Sequence, residues 1–526
     1  MRQSGLLAGL LPPPSNWQAV GLYAGLVPLF TLLGWWALSY IRSPLKRYPG
    51  PVLAGWTNLW RFFLVRTGNY HRRIKELHDK YGPVVRIGPN LVDLDCPELI
   101  KTIYGTDEAW RKTEFYHNNS IMVGREIVYN TFSMTDPAGH ARMQKPIAKY
   151  FSISGILALE PLMDESINDL CNQLERRFDG GAKTCDLGEW IAYCTWDLIT
   201  SITFSRPYGY MSKGFDFDGT IANLDKTIDY FSAVGQMPFL DFLLDKNPIM
   251  RVGPPNLNSV AMIALGSLGA RQQGKDENFD PAVPDLMQHF IGAKAAYPDL
   301  VDDNTIMGYM MIPLLAGADT TATTIRAVFY FLLRNPAMYR KLQDEVLAAG
   351  FDAGFDADTP APYRAARALP YLEAVIREAM RLHPAVSMPL ERYVPASGIT
   401  LPDGSLLPPG TAVGINPYIV GRNRKLWGDN ADEFRPERWL QAADETESAC
   451  QNRLRAMKAA ELAFGAGARI CTGKHLALVE VYKITATVVS RFDIELVDPA
   501  REWTVAGIWF ARQTGILCHL QRRGGR

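Results

Sequence analysis

The sequence of 526 residues lacks a net charge, because 55 acidic side chains balance 55 basic ones. Proteins that bind nucleic acids usually carry an excess of basic side chains, so this balance argues against a nucleic-acid partner. The seven cysteines are irregularly spaced and contain no CxxC pair, which argues against a zinc or dithiol site. An odd number of scattered cysteines indicates free thiols in a reducing compartment.

The sequence also lacks a Gly/Ser-rich linker, a low-complexity tract and an internal repeat after its N-terminal segment. Length alone would suggest two or three domains. Because the sequence shows no such sign of a domain boundary, we instead predict one large domain over residues 52–526. A hydrophobic content of 47% is ample for the core of such a domain.

The N-terminal segment has a composition of its own. Residues 19–41 contain no charged side chain and are rich in Leu, Gly, Phe and Trp. As a helix they would span about 34 Å, enough to cross a hydrocarbon core of about 30 Å. Arg42, Lys46 and Arg47 follow, and the positive-inside rule places this flank in the cytosol. We therefore predict a lumenal tail over residues 1–18, a transmembrane helix over residues 19–41 and a basic, proline-rich elbow over residues 42–51.

The most informative segment is residues 464–473, which read FGAGARICTG. Its glycines let a flat ligand approach the backbone, and Arg469 can pair with carboxylates. Cys471 as a thiolate would donate electron density to a haem iron. A buried inert cysteine and a glycine-rich phosphate loop are the alternatives. The dinucleotide pattern GxGxxG fails here, because Ile470 occupies the place of its third glycine.

This segment resembles the cysteine-ligand loop FxxGxRxCxG of the haem-thiolate monooxygenases, the cytochrome P-450 superfamily. The resemblance implies a mainly α fold with small β-sheets (α+β). It also implies that Cys471 ligates the iron of haem b, with Phe464, Gly467, Arg469 and Gly473 as further cofactor-binding residues. The similarity covers roughly residues 45–520. Residues 81–90 look like fungal microsomal members of the superfamily. Short strings at residues 235–238 and 245–248 look like its pisatin-demethylase-like branch, whose members oxidise secondary metabolites.

A second motif lies in residues 302–334, which we predict to form one long, almost uncharged helix that Asp302 or Asp303 caps. Residues 316–321 read AGADTT and resemble the oxygen-binding signature (A/G)Gx(D/E)T(T/S) of the superfamily. The resemblance implies that Asp319 and Thr320 relay protons to bound oxygen and that an opened turn at Gly317 makes room for it. A tolerated helix glycine beside capped polar residues is the alternative.

A third motif is structural. Glu378 and Arg381 are three residues apart on a predicted helix over residues 370–382, so they share one face. They match the ExxR motif, and residues 434–439, FRPERW, match the second arginine motif of the superfamily. The resemblance implies that Arg438 joins them in a buried triad that fixes the cysteine loop, whereas an exposed pair would contribute little.

Two further positions resemble haem-propionate sites. Arg392 lies where relatives place a propionate-binding arginine, and a surface strand residue is the alternative. His140 begins a segment similar to the W/HxxxR pattern, and we count it among the cofactor-binding residues. Gln144 occupies the arginine position of that pattern, so Arg142 or Lys145 is expected to substitute.

The resemblance implies a monooxygenase that inserts one oxygen atom from O₂ into a lipophilic small molecule, by hydroxylation, demethylation or a related oxidation in fungal secondary metabolism. Because the chain has no dinucleotide fingerprint, electrons would come from NADPH through an NADPH-cytochrome reductase, with cytochrome b5 as an additional donor. We expect a single-pass protein of the endoplasmic reticulum membrane with a cytosolic catalytic domain. The alternatives are a haem-thiolate isomerase or dehydratase that does not use O₂, which the intact Asp319–Thr320 pair disfavours, and a haem-binding sensor.

The substrate contacts are placed by analogy with the superfamily. They are five apolar strips: the segment after Trp110, and residues 231–239, 309–316, 386–388 and 508–510. Such strips suit a neutral lipophilic molecule.

Overall fold

The computed structural model describes residues 17–524 apart from residues 108, 124, 248, 254–257 and 354–358. Helices form most of the structure, so the predicted mainly α fold is confirmed. The α-helices are α1 (Trp17–Arg42), α2 (Val52–Trp56), α3 (Leu59–Arg66), α4 (Tyr70–Tyr81), α5 (Ile100–Ile103), α6 (Pro137–Gln144), α7 (Ile153–Leu157), α8 (Glu160–Phe178), α9 (Leu187–Phe204), α10 (Tyr210–Lys213), α11 (Thr220–Val234), α12 (Phe239–Leu244), α13 (Asn258–Gln272), α14 (Leu286–Ala296), α15 (Asp303–Arg334), α16 (Pro336–Ala353), α17 (Tyr363–Arg367), α18 (Pro370–Leu382), α19 (Pro417–Val420), α20 (Arg424–Trp427), α21 (Glu447–Ala459) and α22 (Lys474–Arg491).

The β-structure is small and consists of short strands. The strands are β1 (Val84–Gly88), β2 (Leu91–Leu94), β3 (Ile121–Val123), β4 (Glu126–Val128), β5 (Cys185–Asp186), β6 (Arg392–Tyr393), β7 (Ile399–Thr400), β8 (Leu406–Leu407), β9 (Ala412–Ile415), β10 (Phe492–Leu496), β11 (Thr504–Gly507), β12 (Ala511–Thr514) and β13 (Leu517–Arg522). One sheet has the order β1-β2-β9-β6, and only its β2–β9 pair is parallel. A second sheet has the order β10-β13-β5, and the other strands form two-stranded antiparallel pairs.

Helix α15 runs through the middle of the structure and contacts α9, α14, α18 and α22. The Asp302 side chain accepts a hydrogen bond from the backbone N–H of Thr305 (2.7 Å) and so caps the helix as predicted. Gly317 lets α15 approach α9 closely, because a Cβ atom there would lie 2.8 Å from Cδ1 of Ile199. A larger side chain at Gly317 would therefore push the two helices apart.

The N-terminal helix α1 covers the segment predicted to cross a membrane. Its side chains include exposed Phe30, Trp35 and Ile41. Among the described residues, however, no helix is long and apolar enough to span a membrane, so the prediction of a transmembrane helix over residues 19–41 is not confirmed. Most of the predicted tail over residues 1–18 lies outside the described residues. The predicted elbow begins at the last residue of α1 and contains a 3₁₀ turn over Pro44–Arg47.

The three side chains predicted to form a triad are in contact. The carboxylate of Glu378, which is fully buried, pairs with Arg381 (Nη2–Oε1, 2.7 Å) and with Arg438 (Nε–Oε1, 3.2 Å). It also accepts hydrogen bonds from the indole of Trp439 (2.9 Å) and from the backbone N–H of Arg435 (3.0 Å). This one carboxylate therefore joins α18 to residues 435–439.

Helix α18 is also joined to the segment that leads into the predicted cysteine loop. The guanidinium of Arg377 donates to both carboxylate oxygens of Glu461 (2.6 and 2.7 Å), three residues before Phe464. Arg377 and Glu378 are adjacent on α18. Arg377 holds the segment that leads into the cysteine loop, and Glu378 holds residues 435–439. This geometry supports the predicted structural role of the triad.

Replacing Glu378 by Ala should destabilise the fold strongly. It would leave the buried guanidinium groups of Arg381 and Arg438 without a carboxylate, which costs about 3–5 kcal/mol. The measurement is the free energy of unfolding from urea denaturation. Glu76→Ala is the control, because Glu76 forms an exposed helix pair with Arg73 (2.6 Å) and its loss should cost less than about 1 kcal/mol. Similar losses in both variants would contradict the role of Glu378.

Candidate active site

A cavity of about 310 Å³ lies between α15 and the loop over residues 464–473. Thr320 and Gly317 line it from α15, and Cys471, Phe464 and Arg469 line it from the loop. Gly473 also borders the cavity, at the start of α22. One cavity therefore brings together the residues of two motifs that are about 150 positions apart in the sequence.

The backbone of the loop is folded tightly around two glycines. Gly465 (φ +66°) and Gly467 (φ +60°) adopt left-handed conformations that favour glycine. A Cβ atom on Gly467 would lie 1.7 Å from the carbonyl oxygen of Tyr104, so no other residue fits there. The backbone N–H of Cys471 donates to the carbonyl of Phe464 (2.8 Å), which closes the loop. The close contact with the backbone next to α5 therefore requires a glycine at position 467.

The thiol of Cys471 faces the cavity. Its side chain is exposed to the space of the cavity, and protein atoms surround the thiol on its other sides. Burial raises the pKa of the Cys471 thiol, whereas the backbone N–H of Gly473 and the ammonium of Lys474 lower it. A buried thiolate needs a positive partner, and a bound metal ion is the strongest such partner.

The two polar residues of the α15 motif have different surroundings. The hydroxyl of Thr320 donates to the carbonyl of Ala316 (2.7 Å) and borders the cavity. Asp319 is buried beside Trp196 of α9, and its Oδ2 atom has no hydrogen-bond partner among the described residues. Burial, and then the charge of Asp225, raises the pKa of Asp319 to about 6. Asp319 can therefore exchange a proton near neutral pH.

Basic side chains surround one side of the cavity. Arg392 is buried, so the surface alternative for this residue is wrong, and its guanidinium donates to the carbonyl of Glu391 (2.8 Å). Arg469 donates to the carbonyls of Met134 (2.8 Å) and of two following residues. Burial and the charge of Arg392 lower the pKa of Arg469 to about 10.

His140 belongs to the same group. Burial, followed by the charge of Arg469 and other nearby cations, lowers the pKa of His140 to about 4, so its ring is neutral at pH 7. Arg142 and Lys145, the two substitutes predicted for the missing arginine, are exposed. The amide of Gln144 donates to the hydroxyl of Thr472 (2.8 Å), beside Cys471.

Two residues near the cavity were missed by the sequence analysis. Lys112 is buried and borders the cavity, and the only sequence signal is a lysine inside the aromatic strip that follows Trp110. Glu480 on α22 is buried next to Thr321, and burial raises its pKa to about 8. Its position nine residues after Cys471 would have placed it on a helix that faces α15.

Most of the remaining cavity wall is aromatic or aliphatic, with a few Asn and Thr side chains. Phe132, Phe231 and Trp509 contact one another, with ring centroids 5.3–5.9 Å apart. Each of the five strips predicted to contact substrate contributes at least one lining residue, for example Tyr116, Phe231, Ile312, Val386 and Phe510. The cavity thus combines an apolar wall with a thiol and a group of cations.

Comparisons with known proteins identify the family of the chain. A family model described as cytochrome P-450 matches residues 49–511. The chain is 44% identical over 500 residues to the cytochrome P-450 monooxygenase cfoH of Aspergillus candidus, covering 94% of this chain and 92% of that relative. It is 37% identical over 473 residues to a cytochrome P-450 monooxygenase of Aspergillus terreus, covering 89% and 94% of the two chains. It is also 34% identical over 488 residues to the cytochrome P-450 monooxygenase mpaDE of Penicillium brevicompactum, covering 92% of this chain and 56% of that relative.

Proposed function

The chain belongs to the cytochrome P-450 family and is an oxidoreductase, and we propose that it inserts one oxygen atom from O₂ into a lipophilic small molecule of fungal secondary metabolism. The observation that carries this proposal is the single cavity that contains Cys471, Thr320 and buried cations. Its apolar wall, with Phe231 and Trp509, suits a neutral substrate with a large hydrophobic surface.

The residues of the cavity fit a haem. The Cys471 thiol faces the space beside a glycine-rich loop, and a bound iron would stabilise its thiolate. Arg392 and Arg469 have no carboxylate within ion-pair distance among the described residues, so the two haem propionates would supply the missing charge. When bound, haem supplies an iron centre at which O₂ can be activated. In this proposal Cys471 ligates the iron, and Phe464, Gly467 and Gly473 shape the loop that holds it.

Replacing Cys471 by Ala should remove the thiolate signature. The measurement is the difference spectrum of the reduced, carbon-monoxide-bound protein, in which the wild type should show the strongly red-shifted Soret band of a thiolate-ligated haem. Cys450→Ala is a matched control, because Cys450 is a free cysteine on α21 and does not line the cavity. A red-shifted band that survives in Cys471→Ala would overturn the proposed ligand.

We further propose that Asp319 and Thr320 control proton delivery. Burial raises the pKa of Asp319 to about 6, so this carboxyl can hold or release a proton in mildly acidic to neutral solution. Thr320 borders the cavity one residue further along α15, where its hydroxyl can orient a water molecule. Electrons would come from NADPH through a partner reductase, with cytochrome b5 as an additional donor.

Replacing Thr320 by Ala should uncouple electron use from product formation. In a reaction with added NADPH-cytochrome reductase, product formed per NADPH should fall by about tenfold while hydrogen peroxide rises, because protons are no longer delivered in order. Haem content should stay unchanged. Thr324→Ala is the matched control: Thr324 lies one turn further along α15, also borders the cavity and also bonds back to a carbonyl (3.0 Å). Unchanged coupling in Thr320→Ala would contradict the proton-delivery role.

We propose that α1 attaches the protein to the endoplasmic reticulum membrane, with the catalytic domain in the cytosol. Exposed apolar side chains on α1, such as Phe30 and Trp35, favour contact with lipid. The basic residues Arg42, Lys46 and Arg47 follow directly and favour the cytosolic side of a membrane.

Deleting residues 1–38 should move the protein from the membrane pellet to the supernatant without loss of the haem spectrum. This deletion keeps Tyr40, whose ring contacts Trp56 (5.9 Å between centroids) and so belongs to the folded domain. The full-length chain is the control in the same fractionation. A shortened chain that stays in the pellet in folded form would contradict membrane attachment through α1.

A further inference from the structure

Helix α15 contains a buried proline, Pro313, in its interior. Proline has no backbone N–H, so the hydrogen bond that would run from residue 313 to the carbonyl of Tyr309 cannot form. The proline ring also pushes that carbonyl away from the helix axis. Alanine would suit the interior of a helix far better than proline, so this position is unfavourable for the helix alone.

Both ends of the missing hydrogen bond lie at the cavity that contains Cys471. The cavity is lined by residues whose spacing places them on one face of α15, namely Tyr309, Ile312, Pro313, Ala316 and Thr320. A helix carbonyl points along the axis toward the residue four positions later, so the Tyr309 carbonyl points toward Pro313 on this face. The proline therefore leaves a hydrogen-bond acceptor at the cavity wall.

The side chains of the protein do not supply the missing donor. In the described part of the chain, no side chain donates to the Tyr309 carbonyl. The hydroxyls of Thr320 and Thr324, which also line the cavity, donate to the carbonyls of Ala316 and Thr320. An acceptor that is removed from water without a donor is unfavourable, so this carbonyl favours a ligand that brings one.

The side chain of Tyr309 holds the acceptor in place. Its hydroxyl donates to the carbonyl of Met143 on α6 (2.7 Å), and its ring contacts Phe290 on α14, with the centroids 5.5 Å apart. These contacts tie residue 309 to two neighbouring helices. A fixed acceptor can distinguish a ligand that carries a hydroxyl group from an analogue that lacks it, because the analogue leaves the acceptor unpaired.

We infer that the carbonyl of Tyr309, freed by Pro313, is a substrate-binding acceptor, and that the substrate is a lipophilic alcohol or phenol whose hydroxyl group donates to it. The inference deepens the proposed function and rests on it, because it takes this cavity as the substrate site. The apolar remainder of the molecule would lie against the aromatic wall that contains Phe231 and Trp509.

The test compares the full-length wild type with Pro313→Ala, which returns an N–H to α15 and so occupies the Tyr309 carbonyl. Equilibrium dialysis measures the binding of three probe pairs: phenylphenol with biphenyl, naphthol with naphthalene, and adamantanol with adamantane. The wild type should bind the hydroxylated member of at least one pair about fivefold more tightly than its partner, and Pro313→Ala should lose this preference. The variant should fold, since alanine is the better helix former.

Two control variants separate the hydrogen bond from the shape of the cavity. Ile312→Ala enlarges the same wall without adding an amide, so it should weaken the binding of both members of a pair and keep their ratio. Pro336→Ala removes the proline at the first position of α16, where a proline interrupts no helix hydrogen bond, and should match the wild type.

Two results would contradict the inference. One is a wild type that binds no hydroxylated probe more tightly than its partner, as expected if a water molecule satisfies the carbonyl. The other is an unchanged preference in Pro313→Ala. A wild type without the red-shifted band of a thiolate-ligated haem would instead defeat the proposed function. Dialysis does not depend on that spectrum, so the two failures can be told apart.

Discussion

The buried carboxylate of Glu378 is the interaction on which the arrangement of the site depends. Two guanidinium groups, an indole and a backbone N–H all donate to its two oxygens, which offsets the cost of burying the charge. The remaining N–H groups of Arg381 donate hydrogen bonds to the carbonyls of Gly421, Ala431 and Glu433. Because the adjacent Arg377 holds Glu461, the rigidity of this network extends to the segment that presents Cys471.

The cations around the cavity differ from the Glu378 network in how their charge is balanced. Lys112, Arg392 and Arg469 are bonded to backbone carbonyls, which satisfies some of their donors but leaves their positive charge unbalanced. The Glu378 network is complete within the protein, whereas the cavity group needs an anion from outside the chain. Binding of that anion to the folded state alone would stabilise the fold by mass action. Haem binding and folding stability are therefore coupled through these cations in our proposal.

Local patterns in the sequence predicted much of this structure. The prolines at positions 370 and 384 bracket α18, and Asp302 caps α15, because these signals act within one turn of a helix. Lys112 and the burial of Arg392 could not be predicted in the same way. Their environment depends on the pairing of β6 with β9 and on a bridge between positions 112 and 392, which are 280 residues apart. Such contacts follow from the assembled fold, and the residues next to Lys112 and Arg392 in the sequence do not reveal that the two side chains are buried.

The geometry of Thr320 limits how it can act. Its hydroxyl proton is already donated to the carbonyl of Ala316, so the lone pairs of the oxygen remain available to accept a hydrogen bond from water in the cavity. Asp319 is its neighbour, and consecutive residues of a helix point about 100° apart, so the two side chains do not face the same space. In our proposal Thr320 therefore holds a water in place, and Asp319 supplies the proton from the side of α15 that packs against α9.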